Sequence, residues 1–153
     1  MKNKTVIQVD SREKSNQHIT DYFTKKKIDY LISKLPFGDY MNWDNPRLVI
    51  ERKHSILELV NSIGTDFKRF KKELKEATRY GVHIIILIEE DGYFDFEDLK
   101  CWCNPYKKKN PRAMTGETLY KILQSHMQYY NVEVQFTTKN LSADRILELL
   151  KAV

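Results

Sequence analysis

Cysteine is almost absent. Only Cys101 and Cys103 occur among 153 residues. They stand one residue apart, too close for an ordinary disulfide, which predicts a protein of a reducing, intracellular compartment. They also lack the second pair that a zinc site needs, so they are read as structural. His18, His54, His83 and His126 show no metal-binding spacing. Five glycines and four prolines provide no flexible linker, and there is no internal repeat. The longest apolar run, Ile84–Ile88, is far short of the roughly 20 residues that span a bilayer, so no membrane is expected. Met1–Thr5 lacks the pattern of a signal peptide.

What remains is the composition of one soluble domain, 1–153, large enough to bury its own core. Hydrophobic residues are 41% and charged residues 31%, which excludes a disordered chain. Lys and Arg number 26 against 21 Asp and Glu, a net charge of +5, and this excess favours a polyanionic partner.

The hydrophobic pattern alternates strands with helices. Strands are predicted at Thr5–Val9, around Ile28–Ile32, at Asp39–Trp43, at Arg47–Lys53 after a turn at Asp44–Pro46, at Val82–Ile88 and at Val132–Phe136. Helices are predicted from about Gln17 to Lys26, from near Ser55, over the face Phe67, Phe70, Leu74 and Ala77, after Thr115, and after Ser142 as a cap. Glu89–Asp98 and Asn104–Arg112 read as loops. The implied fold is α/β, a mixed central β-sheet flanked by helices.

Acidic residues gather beside predicted strand ends: Asp10 with Glu13, then Asp39, then Glu51. On a strand, side chains alternate, so Glu51 and Lys53 share a face while Arg52 points away. If Asp39 begins the neighbouring strand, its carboxylate can meet that of Glu51. Two carboxylates and an ammonium on one rim suit a hard cation such as Mg²⁺. Such a metal polarises a phosphate and lowers the pKa of a water, while Lys53 orients or deprotonates that water or steadies phosphorane charge. The alternative is that Glu51, Arg52 and Lys53 form surface ion pairs. The buried run Val49-Ile50 and the position at a strand end favour the catalytic reading.

Val9-Asp10-Ser11-Arg12-Glu13, Gly38-Asp39 and Ile50-Glu51-Arg52-Lys53 resemble the three successive motifs of the XPF-type nuclease domain, of the PD-(D/E)xK, restriction-endonuclease-like fold. Phe67–Leu74 is similar to the basic helix that follows in this family, and Val82–Glu89 to its next core strand. The resemblance covers residues 5 to 90 and, more loosely, 117 to 150. It implies a DNA endonuclease dependent on Mg²⁺ or Mn²⁺ and selective for branched, forked or flapped DNA. By the same resemblance Asp39 and Glu51 bind the metal, Arg52 adds its backbone carbonyl, and Lys53 is the catalytic lysine. Asp10 and Glu13 line the same pocket, and Arg12 holds a carboxylate or a DNA phosphate. Where the family often carries an acid four residues after the lysine, this chain has Leu57, with Glu58 next.

The helix face Lys68, Arg69, Lys71, Lys72 and Lys75 can track phosphates, or be a solvated face paired with Glu73 and Glu76. Lys107, Lys108, Lys109 and Arg112, beside Trp102 and Tyr106, suit single-stranded DNA, or form an ordinary loop. Arg52 is a further expected DNA contact. The family's tandem helix-hairpin-helix module is not seen after Lys151, so a stand-alone form is expected. Pairing of this fold through its flanking helices implies a homodimer through Thr118–Tyr130 and the last helix. The small format is similar to nucleases of phages and mobile elements, which implies DNA repair or recombination in bacterial or host cytoplasm. The rivals are a catalytically silent DNA-binding adaptor of the same fold and a junction-resolvase or restriction-type nuclease.

Overall fold

The computed structural model describes residues 4–152. Met1–Asn3, part of the N-terminal stretch read as no signal peptide, and Val153 lie outside it. Among the described residues, six strands form one sheet: β1 (Val6–Asp10), β2 (Asp29–Ser33), β3 (Tyr40–Asn42), β4 (Asn45–Lys53), β5 (His83–Glu89) and β6 (Val132–Thr137). Their order is β2-β1-β3-β4-β5-β6, with β3 antiparallel to both neighbours and every other pairing parallel. All strands but β3 therefore run the same way, and Asp10, Lys53 and Glu89 end at one edge. This is the mixed α/β architecture expected.

The helices are α1 (Gln17–Lys25), α2 (Ile56–Thr65), α3 (Phe67–Arg79), α4 (Gly116–Tyr129) and α5 (Ser142–Leu149). Alternation on β5 explains how they sort into two layers. Ile84, Ile86 and Ile88 face a core with Leu59 of α2, Leu74 of α3 and Leu119 of α4. Ile85 and Leu87 face a second core with Ile19 and Phe23 of α1 and Ile146 and Leu147 of α5. A central strand covered on both sides must be apolar throughout, and this one is. No helix among the described residues is long and apolar enough to cross a membrane.

Local signals set several boundaries. Ser55 Oγ accepts from Glu58 N at 3.1 Å to start α2, and Thr115 Oγ1 accepts from Thr118 N at 3.1 Å to start α4. Some expectations need correction. Ser142 does not cap α5; its hydroxyl donates to Lys139 O from a fully buried position, and Leu141 stands at the cap. In α5, Ile146 and Leu147 are fully buried, and Leu149 packs partly buried against the same core. The turn before β4 is Trp43-Asp44, and Asn45 and Pro46 already belong to the strand. Trp43 N donates to Val6 O and tightens the turn, while Pro46 precedes the stretch of β4 that pairs with β5. β2 lies at the sheet edge, so Leu31 and Ile32 are exposed despite their alternation. The segment expected as a loop from Glu89 contains a 3₁₀ helix at Phe96–Cys101, and Glu89 itself closes β5 in a buried position.

Gly38 fixes the approach to β3. Its φ is +69°, and a Cβ there would stand 3.0 Å from Ile50 O and from Val49. Gly38→Ala should therefore lower stability by about 1–3 kcal/mol in urea unfolding; an unchanged midpoint would contradict this account.

Candidate active site

The end of β4 divides its side chains between the two faces of the sheet. Glu51 and Lys53 face α2 and α3; Arg52 faces α1 and α5. Asp39, one residue before β3, reaches the Glu51 face, with its backbone N–H bonded to Ile50 O at 2.7 Å. Its Oδ2 accepts from Arg52 N at 2.8 Å. Lys53 Nζ lies 3.4 Å from Glu51 Oε1 and donates to Ser62 Oγ at 3.2 Å. Glu51 and Lys53 line a cavity of about 250 Å³ with Ser62, Arg69, Phe70 and Glu73. Glu51 and Lys53 come together at this cavity, whereas Asp39, expected to join them, does not line it and is near enough only for its charge to act on theirs. The sequence did not single out Glu73, read only as an ion-pair partner on α3; the helical turn from Arg69 could have drawn attention to it.

Negative charge here is poorly compensated. Burial first, then Glu51 and Glu13, raise the Asp39 carboxyl far above the usual carboxylate range, against the pull of Arg52 N–H and Lys53. Burial raises Glu51 as well; Lys53 opposes this, and Glu73 adds to it. Groups that resist ionisation in this way mark a place where a cation is favoured.

On the other face Arg52 is only 2% exposed, and all five of its donors are used. Nε donates to Glu89 Oε1 at 2.7 Å, and Nη1 to Glu13 Oε2 at 3.0 Å and Lys14 O at 3.3 Å. Nη2 donates to Ser15 O at 3.0 Å and meets His54 Nδ1 at 3.3 Å. His18 Nε2 also reaches Glu89 Oε1, at 3.1 Å. The guanidinium therefore ties the 13–15 loop to β4 and β5, and no donor is left for a DNA phosphate. Glu89, assigned to a loop from sequence, is the buried counter-charge of this clamp. Burial pushes its carboxyl up, but the bonds from Arg52 and His18 outweigh that and hold it below the ordinary value.

Asp10 and Glu13 do not line the cavity of Glu51 and Lys53. Asp10 accepts from Leu35 N at 2.8 Å and from Arg12 N, Nε and Nη2 at 2.9–3.2 Å. Burial raises its carboxyl, and these bonds outweigh that and lower it. Arg12 thus holds a carboxylate, one of its two expected roles, and also donates to Leu35 O at 3.0 Å. Arg69 reaches the cavity, whereas Lys68 and Lys72 are exposed on α3. Lys107, Lys108, Lys109 and Arg112 are exposed, with Lys107 Nζ turned back onto Pro111 O and Ala113 O. Trp102, expected to be available beside them, is buried in the core against the α2–α4 layer, leaving Tyr106 exposed.

Two measurements probe this balance. Arg52→Met leaves buried acids unpaired and should cost about 3–5 kcal/mol in chemical denaturation at neutral pH. Because Glu89 ionises more readily when folded, its stabilisation is complete above the ordinary value of 4.5 and is lost as pH falls through the lowered folded value. The penalty of Arg52→Met should shrink over that same fall, and a pH-independent penalty would contradict the clamp. Glu51 has the opposite sign: its raised proton affinity makes the metal-free protein lose stability as pH rises from 4.5 through the folded value. With chelator present, Glu51→Gln should gain on the order of 1–3 kcal/mol at pH 8, with the gain vanishing toward acid pH; no gain at pH 8 would contradict charge repulsion.

Comparison with known proteins places this fold in a family. The sequence pattern of the ERCC4 domain matches residues 9–149. Two solved structures, XPF from Aeropyrum pernix and the same protein in complex with DNA, each align with a TM-score of 0.68 at 17% identity. Each alignment covers 95% of this chain and 63% of the solved chain, so the protein spans less than two thirds of their length and shares their fold. No curated protein matches the chain. The ordered motifs at Asp10, Asp39 and Glu51–Lys53, set on this sheet and matched over residues 9–149, show that the chain belongs to the ERCC4 domain family.

Proposed function

We propose that the protein is a divalent-metal-dependent DNA endonuclease that hydrolyses phosphodiester bonds and prefers branched, forked or flapped DNA. The observation that carries this reading is the undercompensated carboxyl of Glu51, which lines a cavity beside the anchored ammonium of Lys53, with the carboxyl of Asp39 near enough for the two to raise each other's proton affinity. The family supports nuclease chemistry, and one of the structurally similar proteins is in complex with DNA.

The donor set fits Mg²⁺ or Mn²⁺. Among the described residues no group of three His, Cys, Asp or Glu side chains is placed to hold a metal ion. Mg²⁺ does not need such a cage, because it is held by one or two carboxylates, waters and substrate phosphate. Asp39 keeps Oδ1 free of the Arg52 N–H bond, and Glu51 keeps Oε2 free of Lys53. The Arg52 backbone carbonyl is the third group proposed. When bound, the ion polarises the scissile phosphate and makes a water more acidic.

The chain's own groups do the rest. Ser62 holds the Lys53 ammonium on the cavity wall, where it orients the attacking water and offsets charge building on the phosphate oxygens. Arg69, on the same wall, takes a neighbouring phosphate. Lys68 and Lys72 on α3, with Lys107, Lys108, Lys109 and Arg112, supply weaker, salt-dependent backbone contacts. Asp10 acts through Arg12, and Glu13 through Arg52, to position the loops that frame the site.

Flap, fork, four-way junction and linear duplex substrates, each with Mg²⁺, Mn²⁺ or EDTA, test the reading. Wild type should cut branched DNA only with metal. Glu51→Gln and Lys53→Met should each lose about a hundredfold or more in rate while still binding DNA. Equal cleavage by wild type and Glu51→Gln would overturn it, and equal rates on linear and branched DNA would remove the structural preference.

A further inference from the structure

A second hollow, of about 680 Å³, lies between α3 and α4. Phe67, His126, Tyr129 and Tyr130 give it an aromatic wall, Lys71 and Lys121 stand on its rim, and no carboxylate lines it. The His126 ring centroid lies 6.0 Å from that of Phe67 and 5.8 Å from that of Tyr130. Tyr129 is 75% exposed and Phe67 42%, large apolar surfaces that folding has left unpartnered. His126 is only 6% exposed, yet its Nδ1 is the one buried side-chain polar atom among the described residues with no hydrogen-bond partner. That nitrogen is enclosed by the rings of Phe67, Phe70 and Tyr130, so the surfaces the groove offers a ligand are the exposed rings of Tyr129 and Phe67 and the two lysines.

The groove adjoins the candidate active site. Phe70 lines the Glu51 cavity, and its ring centroid lies 5.7 Å from that of His126. One flank of α3 gives Arg69, Phe70 and Glu73 to the cavity, and the next gives Phe67 and Lys71 to the groove. Stacking surfaces bordered by cations suit unpaired nucleotides, because every base has a π-face and every linkage a negative charge. The homodimer that the family resemblance implies through Thr118–Tyr130 would use this same helix, so a second copy of the chain is the rival occupant, and charge weighs against it. A two-fold interface sets a patch against itself, so Lys71 and Lys121 would meet like charges with no acid to offset them.

We propose that this groove is a nucleotide subsite, which stacks an unpaired base of the single-stranded arm crossing α3 from the Glu51 cavity, with Lys71 and Lys121 on its phosphates. The inference rests on the nuclease reading for its substrate but not for its test, because binding is read without metal and without cleavage. The probe is a labelled oligodeoxythymidine of about ten nucleotides in EDTA, compared with blunt duplex by fluorescence anisotropy. Tyr129→Ala removes a stacking surface, and Ser125→Glu adds a negative charge at an exposed position of α4 on the groove, where the fold does not depend on it. Each should weaken single-strand binding about tenfold more than duplex binding. A 2-aminopurine base in the oligonucleotide should be quenched by wild type and less so by Tyr129→Ala. Wild-type affinity and quenching in both variants would overturn the subsite. So would a dimeric wild type that Ser125→Glu makes monomeric in sedimentation, which would give the face to a second copy. Failure of the nuclease reading is seen separately, as cleavage that survives Glu51→Gln.

Discussion

Successive side chains of β4 point to opposite faces of the sheet, and this alternation makes three adjacent charged residues do different work. Glu51 and Lys53 emerge beside α2 and α3, where they line a cavity. Arg52 emerges beside α1 and α5, where nothing but protein surrounds it. Its five hydrogen bonds hold the 13–15 loop, β4 and β5 together directly beneath the reactive pair. Without this buried guanidinium, Glu89 and Glu13 would be uncompensated charges in a region that cannot solvate them. The order within the motif is thus a matter of geometry: exchanging Arg52 with either neighbour would put the clamp in the cavity and a reactive group in the core.

The two faces also differ in electrostatic balance. Around Arg52, one guanidinium bonds both Glu13 and Glu89, and Glu89 ionises more easily than in water. Around Glu51, acids outnumber the bases within reach, and ionisation is suppressed. A folded protein tolerates such repulsion only where the surrounding core offsets it. Here that core is the packing of β5 between two helix layers, with Ile84 and Ile86 forming the floor of the cavity itself. Stability is held on one side of the strand and given up on the other, the usual relation between a rigid frame and a site that needs a cation.

Helix α3 repeats the same economy with a different period. Leu74 and Ala77 anchor it, Arg69 and Glu73 serve the cavity, and Phe67 and Lys71 border the aromatic groove. The positive charge of the chain is therefore not a uniform coat. On α3, Lys68, Arg69, Lys71 and Lys72 are exposed, and Arg69 and Lys71 line the two hollows.

The sequence by itself determined the cover on both faces of β5 and the shared face of Glu51 and Lys53. The apolar run of β5 requires cover on both faces, and the spacing of Glu51 and Lys53 puts them on one face whatever surrounds them, because both inferences rest on strand period alone. Ser55 and Thr115 were legible as caps because capping is local, whereas Ser142 was misread because a buried hydroxyl can bond backward as readily as forward. The tertiary structure alone decided the partners of Arg52 and Asp10, the burial of Glu89 and Trp102, and the approach of Glu73 to Glu51. Those facts join residues tens of positions apart. They depend on which strand lies beside which and how far each helix is rotated, and a periodic pattern records neither.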